Sequence, residues 1–206
     1  MRVLPLYLAS ASPRRRELLA GLGIASRREP AEVDERAWPD ETPSGLTVRL
    51  AAAKAAAVAS LLHARGIAAL VLAADTIVTI DAVILGKPTD DTDAFAMLQR
   101  LAGRRHEVIT ACRLVRTDDG RAAAAVSVSG VRFAPWNEKL ARWYVQTGEP
   151  MDKAGGYGIQ GLGVLLSEGI EGSWSNVVGL PLEALPALFR DVGDDLFARV
   201  EGGNTG

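Results

Sequence analysis

The sequence predicts an α/β fold built on a long, twisted mixed β-sheet with flanking helices, and three observations carry that prediction. Short apolar strand patterns alternate with helical ones along most of the chain, as layered α/β proteins require. The uninterrupted apolar run Leu70-Val71-Leu72-Ala73-Ala74 reads as a central strand buried on both faces. Two β-type stretches, 106–117 and 121–134, flank the turn residues Asp118-Asp119-Gly120 and read as an antiparallel hairpin. Parallel and antiparallel pairing therefore share one sheet.

Taken in order, Leu6-Tyr7-Leu8 is a short strand that enters an amphipathic helix, with Ser12 as N-cap and Pro13 at the first helical position. Leu18, Leu19 and Leu22 supply its buried stripe. Residues 24–29 form a second short strand and 30–45 an acidic, proline-containing loop. An alanine-rich helix follows from about Leu46 to Arg65, with Thr47 near its start and Gly66 at its stop. The central strand spans 69–81, residues 86–91 turn, and a helix from Thr92 to Leu101 ends at Gly103. Beyond the hairpin, Glu138–Gln146 is helical, 153–163 is a glycine-rich run, and 164–170 is strand-like. A last helix runs from about Pro181 to Val192, and residues 193–206 form a tail with little to bury, expected to fray. No repeat or linker divides the chain, so residues 1–192 are expected to form one domain.

Bulk properties narrow the function classes. The 206 residues carry a formal net charge of −2, with 48% hydrophobic and 23% charged residues. That balance argues against a broad nucleic-acid surface, which needs an excess of Lys and Arg. The single cysteine, Cys112, excludes an internal disulfide and reads as a buried structural thiol. No apolar stretch is read as approaching the ~18–20 residues that cross a bilayer, and no signal-peptide pattern opens the chain. The expectation is a cytoplasmic protein of enzyme size.

Several residues stand out chemically. Arg14, Arg15 and Arg16 load the first turn of a helix with cations, where the helix dipole and free amides favour anions. A bound anion such as phosphate relieves that conflict. Asp75 ends an apolar run, and a carboxylate there must be paired, metal-bound or hydrogen-bonded. Lys54 interrupts AAAKAAAVA and either reaches a partner or snorkels to water. Lys87 is presented from the stiff turn Gly86-Lys87-Pro88. Glu32, Asp34 and Glu35 cluster in the acidic loop; a divalent ion bridging such carboxylates to phosphate oxygens is one use for them, and simple solvation is the other. The run DKAGGYGIQG at 152–161 lets backbone approach a ligand, and Gln160 carries the donor and acceptors that suit a base edge. His63 and His106 are the only histidines, so a Ser–His–Asp triad has little support and His106 reads as structural. No GxxxxGK[ST] sequence is present, which excludes a P-loop.

Together these segments resemble the Maf family of nucleoside triphosphate pyrophosphatases. The likeness lies in Leu8-Ala9-Ser10 with Ser12-Pro13-Arg14-Arg15 and Glu17-Leu18-Leu19, in Asp34-Glu35, in Lys54-Ala55, in Ala74-Asp75-Thr76 and in Gly86-Lys87-Pro88. It continues through Leu101, Gly103, His106, Val108 and Thr110, then EPMDKAGGYGIQG and Asn176–Leu182, and covers about residues 4–190. The resemblance implies an elongated, two-lobed body like that of the inosine triphosphate pyrophosphatases. It also implies metal-dependent hydrolysis, with Mg²⁺ or Mn²⁺ as the cation, that splits a nucleotide to its monophosphate and pyrophosphate. By the same likeness Asp75 orients or deprotonates water and binds metal with Glu35. Ser10, Arg14, Arg15, Lys54 and Lys87 hold the substrate, and Arg14, Thr76 and Gln160 sit where the family sets specificity. Arg16 falls at a variable position and reads as solvated. Asp152–Gly161 match the branch that acts on dTTP and UTP; the alternatives are the 7-methyl-GTP branch and a septum-formation regulator that acts by binding. Trp174 and Gly156 depart from the common pattern, and Trp174 is placed to reshape a pocket edge. A homodimer is implied, and neither a nucleic-acid polymer nor a membrane is expected as a partner.

Overall fold

A computed structural model describes residues 3–200 and has the expected mixed α/β architecture. In chain order the elements are β1 (Leu6–Leu8), α1 (Pro13–Gly21), β2 (Arg27–Arg28), α2 (Pro43–Ala64), β3 (Leu70–Ile80), β4 (Val83–Leu85) and α3 (Asp91–Leu101). They continue with β5 (Arg105–Arg116), β6 (Ala122–Phe133), α4 (Glu138–Gln146), β7 (Ser167–Glu171), α5 (Trp174–Val178) and α6 (Leu185–Asp191). Seven strands form one sheet in the order β2-β1-β3-β5-β6-β7, with β4 paired to β3. β1 is parallel to β2 and β3, whereas β3–β4 and β6–β7 are antiparallel. β5 also opposes β3: Thr117 lies at Ala69 and Thr110 at Thr76, so rising numbers on one strand meet falling numbers on the other. The connection from β5 to β6 is far shorter than the dozen residues a parallel crossover needs, which makes that pair antiparallel as well.

The chain forms two compact units: residues 3–75, 111–126 and 179–200 in the first, residues 76–110 and 127–178 in the second. In the first unit, α2 covers one face of β1 and β3. Ala55, Val58 and Leu62 from α2 pack with Tyr7, Ala9, Val71 and Ala73 in one buried cluster. Alternation along β3 puts residues 71, 73 and 75 on the same face, so Asp75 continues the row that α2 covers. The alanines of α2 keep that approach close. In the second unit, Phe133, His106 and Tyr157 make a buried edge-to-face aromatic cluster with ring centroids 4.8–5.4 Å apart.

Several local expectations need correction. The Ser12 side chain makes no capping bond, and Leu22 lies past the end of α1 and is 38% exposed. α2 begins a turn early, at Pro43, because the Thr42 hydroxyl, not Thr47, accepts the Gly45 amide. By length and composition alone α2 could cross a bilayer, contrary to the sequence reading. Its apolarity comes from alanine, and Arg49 and Lys54 along it are both ion-paired. β4 goes unread in the sequence since its turn, Asp81-Ala82, has two positive φ angles without a glycine to signal them. The stretch 162–166 is a 3₁₀ turn, with the strand starting only at Ser167.

The chain end is held more firmly than its composition suggested. Arg199 is buried, pairs with Asp194 at 2.7 Å and donates to the Leu4 carbonyl at 2.8 Å; Val200 bridges to Ile24. Residues 194–200 are thus anchored, and 201–206 of the expected frayed tail lie outside the described residues.

Candidate active site

In the first unit the polar residues converge on one ammonium. Lys54 Nζ lies 2.6 Å from Asp75 Oδ1 and 2.6 Å from Glu35 Oε1. Lys54 and Asp75 are mostly buried, while Glu35 reaches in from the exposed loop with a side chain 62% exposed. The isolated buried acid of the sequence therefore has a partner, and so does the lysine inside the alanine run. Removing either member of such a half-buried pair costs more than the pair itself contributes, because the survivor is left desolvated.

At the start of α1, the Ser10 hydroxyl oxygen accepts both the Ser12 amide (3.2 Å) and Arg15 Nη1 (2.9 Å). Arg15 Nε donates to the Gly179 carbonyl at 2.7 Å. Burial lowers the Arg15 pKa and the Asp75 charge opposes that shift. Arg15 and Ser10 thus act as struts that shape the turn, while Arg14 sits half-buried one residue earlier and Arg16 is exposed. The first turn of α1 holds no acid and no side-chain cap, which leaves its positive dipole end without a carboxylate of its own.

The acidic loop divides its carboxylates. Asp34 forks onto the exposed Arg36 guanidinium at 2.6–3.1 Å, which holds its carboxyl down at about 2. Glu32 is exposed. Glu35 is the member carried to Lys54.

In the second unit, Lys87 is exposed on its turn, and the Gly86 carbonyl accepts the Gly155 amide at 3.0 Å, tying that turn to the glycine-rich run. Gln160 is exposed at the head of a loop gripped on both sides. The Gly158 amide donates to Tyr144 Oη at 3.0 Å, and the Leu162 and Gly163 amides donate to Glu149 at 2.9 and 3.1 Å. Tyr144 Oη in turn donates to Glu149 at 3.0 Å. Burial opposes ionisation of Glu149, but these amide donors and the tyrosine outweigh it and hold the carboxyl below its ordinary range. A Cβ at Gly161 would come 2.5 Å from the Glu149 carboxylate, so a larger residue there would push that carboxylate away from its amide donors. Glu149 was missed in the sequence, although glycines at 158, 161 and 163 mark the backbone that closes around it.

His106 is structural, as expected. Its Nε2 meets Tyr157 Oη at 2.7 Å, and burial pushes its pKa down to about 4. Cys112 is buried and its thiol is raised to about 12 by that burial. Thr76 shares a 2.9 Å hydrogen bond with Thr110. Trp174 is 47% exposed.

Among the described residues, no group of three or more His, Cys, Asp or Glu side chains is assembled for a metal. Magnesium asks for less: it keeps several waters and uses one or two carboxylates beside substrate phosphate oxygens. Asp75 and Glu35, brought together on Lys54, fit that donor set.

Comparison with known proteins follows the same line. The family model described as Maf-like protein matches residues 5–192. A dTTP/UTP pyrophosphatase of Symbiobacterium thermophilum is 48% identical over 192 residues, covering 93% of this chain and 96% of its own. A dTTP/UTP pyrophosphatase of Burkholderia pseudomallei is 51% identical over 192 residues, covering 89% of this chain and 91% of its own. Among solved structures, a nucleoside-triphosphatase, dITP/XTP pyrophosphatase, of Mycobacterium abscessus aligns with a TM-score of 0.37 and 14% identity, over 64% of this chain and 75% of that one.

Proposed function

The chain belongs to the Maf-like protein family, and from that premise we propose that it hydrolyses dTTP and UTP to the nucleoside monophosphate and pyrophosphate. Residues 1–192 act as one catalytic domain, and the enzyme works in the cytoplasm as a homodimer. The observation that carries the reading is Asp75, a buried carboxylate at the end of an apolar strand run, held on Lys54 and adjoining Glu35.

The chemistry follows from charge. A nucleoside triphosphate brings close to four negative charges, and Arg14, Lys54 and Lys87 are assigned to its phosphates. Arg15 and Ser10 are assigned to the same substrate and also fix the start of α1. Asp75 orients the attacking water and takes its proton as the new oxygen–phosphorus bond forms at the α-phosphorus. The bond between that phosphorus and the bridging oxygen breaks, and pyrophosphate leaves with the electron pair. Positioning and electrostatic stabilisation account for most of the acceleration in such a reaction. Asp75 and Glu35 are the residues that would hold Mg²⁺ or Mn²⁺, which when bound neutralises phosphate charge and acidifies water. Thr76 and Gln160 are assigned to the base, which Gln160 can meet with both a donor and an acceptor.

A product assay with Mg²⁺ or Mn²⁺ across dTTP, UTP, CTP, GTP and 7-methyl-GTP tests the reading. It predicts pyrophosphate release with dTTP and UTP well ahead of the other three. Equal rates on all five would remove the pyrimidine assignment, and no turnover of any would remove the enzyme.

A further inference from the structure

A directional hydrogen-bond relay ends on Thr76. Thr110 is completely buried on β5, and its hydroxyl lies 3.0 Å from the Asn176 backbone carbonyl and 2.9 Å from the Thr76 hydroxyl. A carbonyl can only accept, so the single proton of Thr110 goes to Asn176. Thr110 can then meet Thr76 only as an acceptor, and the Thr76 proton is committed to it. The opposite arrangement would set a buried carbonyl lone pair against a hydroxyl lone pair at 3.0 Å, leaving an unsatisfied acceptor in the interior. The far end of the relay is fixed too. Asn176 is fully buried, and its side-chain amide donates to the Val108 carbonyl at 3.0 Å and to Ser129 Oγ at 2.8 Å. Ser129 also accepts the Ser173 amide at 3.0 Å and donates to the Ser173 carbonyl. Whatever else the half-exposed Thr76 oxygen touches, it touches as an acceptor.

We propose that Thr110 is a positioning residue for substrate choice: by taking the Thr76 proton it makes Thr76 an acceptor for the N3–H of uracil and thymine and a repellent for the N3 lone pair of cytosine. The proposal rests on the base-reading assignment of Thr76 made above. Given that assignment, the partner atom is forced. The Watson–Crick edge of uracil or thymine offers one N–H, at N3, between two carbonyl oxygens that would repel an acceptor. Cytosine presents a bare N3 at the same place, so the relay discriminates without any contact between Thr110 and the ligand.

The test is the ratio of kcat/KM for dTTP to that for dCTP in Thr110→Val, Thr110→Ser and Thr76→Val. Valine preserves the shape of Thr110 but frees the Thr76 proton to turn toward cytosine N3. The ratio should fall about tenfold, the scale of one neutral hydrogen bond, and kcat/KM for dCTP should rise in absolute terms. Simple structural damage would lower both substrates and could not produce that rise. Thr110→Ser keeps the donor and should restore the wild-type ratio. Should the valine variant fail to fold, Thr110→Cys, with a weaker donor, should give an intermediate ratio. If Thr76→Val lowers the ratio while the foldable Thr110 variants leave it unchanged, the relay is wrong and the base-reading assignment stands. If Thr76→Val lowers kcat/KM for both nucleotides equally, or leaves both unchanged, the base-reading assignment itself fails.

Discussion

The two compact units handle polar groups in opposite ways. The first gathers formal charges: Lys54 between Asp75 and Glu35, beside a helix start loaded with arginines. In the second, two networks fix hydrogen-bond direction instead, from Thr76 through Thr110 to Asn176, and from the Gln160 loop to Glu149 and Tyr144. Charge is strong and tolerant of direction, which suits a polyanionic phosphate chain. Neutral hydrogen bonds are weak but directional, which suits telling one base edge from another. Variants in the Lys54–Asp75–Glu35 cluster should therefore change the rate, and variants in the Thr76 relay or at Gln160 should change the choice of substrate.

The largest effect is expected at Asp75. Asp75→Asn keeps the shape but removes the proton acceptor, and kcat should fall by about 10²–10⁴, the range general-base removal usually covers. Near wild-type turnover by a folded variant would take Asp75 out of the mechanism. On the other side of the comparison, Gln160→Ala should lower the dTTP to CTP preference about tenfold while release of pyrophosphate from dTTP persists. An unchanged preference would show that Gln160 does not read the base. A smaller shift belongs to Glu149→Gln, which replaces one acceptor oxygen with an amino group facing the Leu162 or Gly163 amide. KM for dTTP should rise roughly threefold to tenfold with kcat less affected, because the loop is loosened and the acid is untouched. A fall in kcat at constant KM would place Glu149 in the chemistry instead.

How much of this was legible in the sequence depends on how local each signal is. Asp75 and Lys54 could be found because each is a charge set in a short apolar or alanine stretch, and their pairing follows from strand alternation and a helix laid across it. Glu149 could not, because a glutamate in a polar segment looks solvated until the chain after it closes around the carboxylate. Thr110 and Asn176 are ordinary residues 66 positions apart, and only the folded strand and the short helix α5 bring them together. Arg15 carries a second role that its place in a cationic turn did not reveal: its Nε and Nη1 donate to Gly179 and Ser10. The strands and long helices were readable from periodicity. β4 was not, since its turn Asp81-Ala82 has no glycine to signal it, and α5 was not, since five residues carry no helical period.

A last effect falls on stability rather than on the reaction. His106 is held neutral by burial, with its pKa lowered from the ordinary 6.5 to about 4. Between those values the unfolded chain binds a proton that the native one refuses, so stability is lost as pH falls through that window. The loss should reach about 3 kcal/mol near pH 4. Urea unfolding of the wild type and His106→Gln at neutral pH and near pH 4.5 isolates this term. The gap between the two proteins should shift in favour of the variant on acidification, and a gap that does not move would contradict the assignment.

The division of labour is tested most directly by the dTTP to CTP preference of Asp75→Asn, measured as a ratio of kcat/KM values on the residual activity. If the charged cluster serves the phosphates alone, both substrates lose the same factor and the ratio equals that of the wild type. A ratio that collapses together with the rate would mean that Asp75 also takes part in choosing the base, and the separation of charge from direction would not hold.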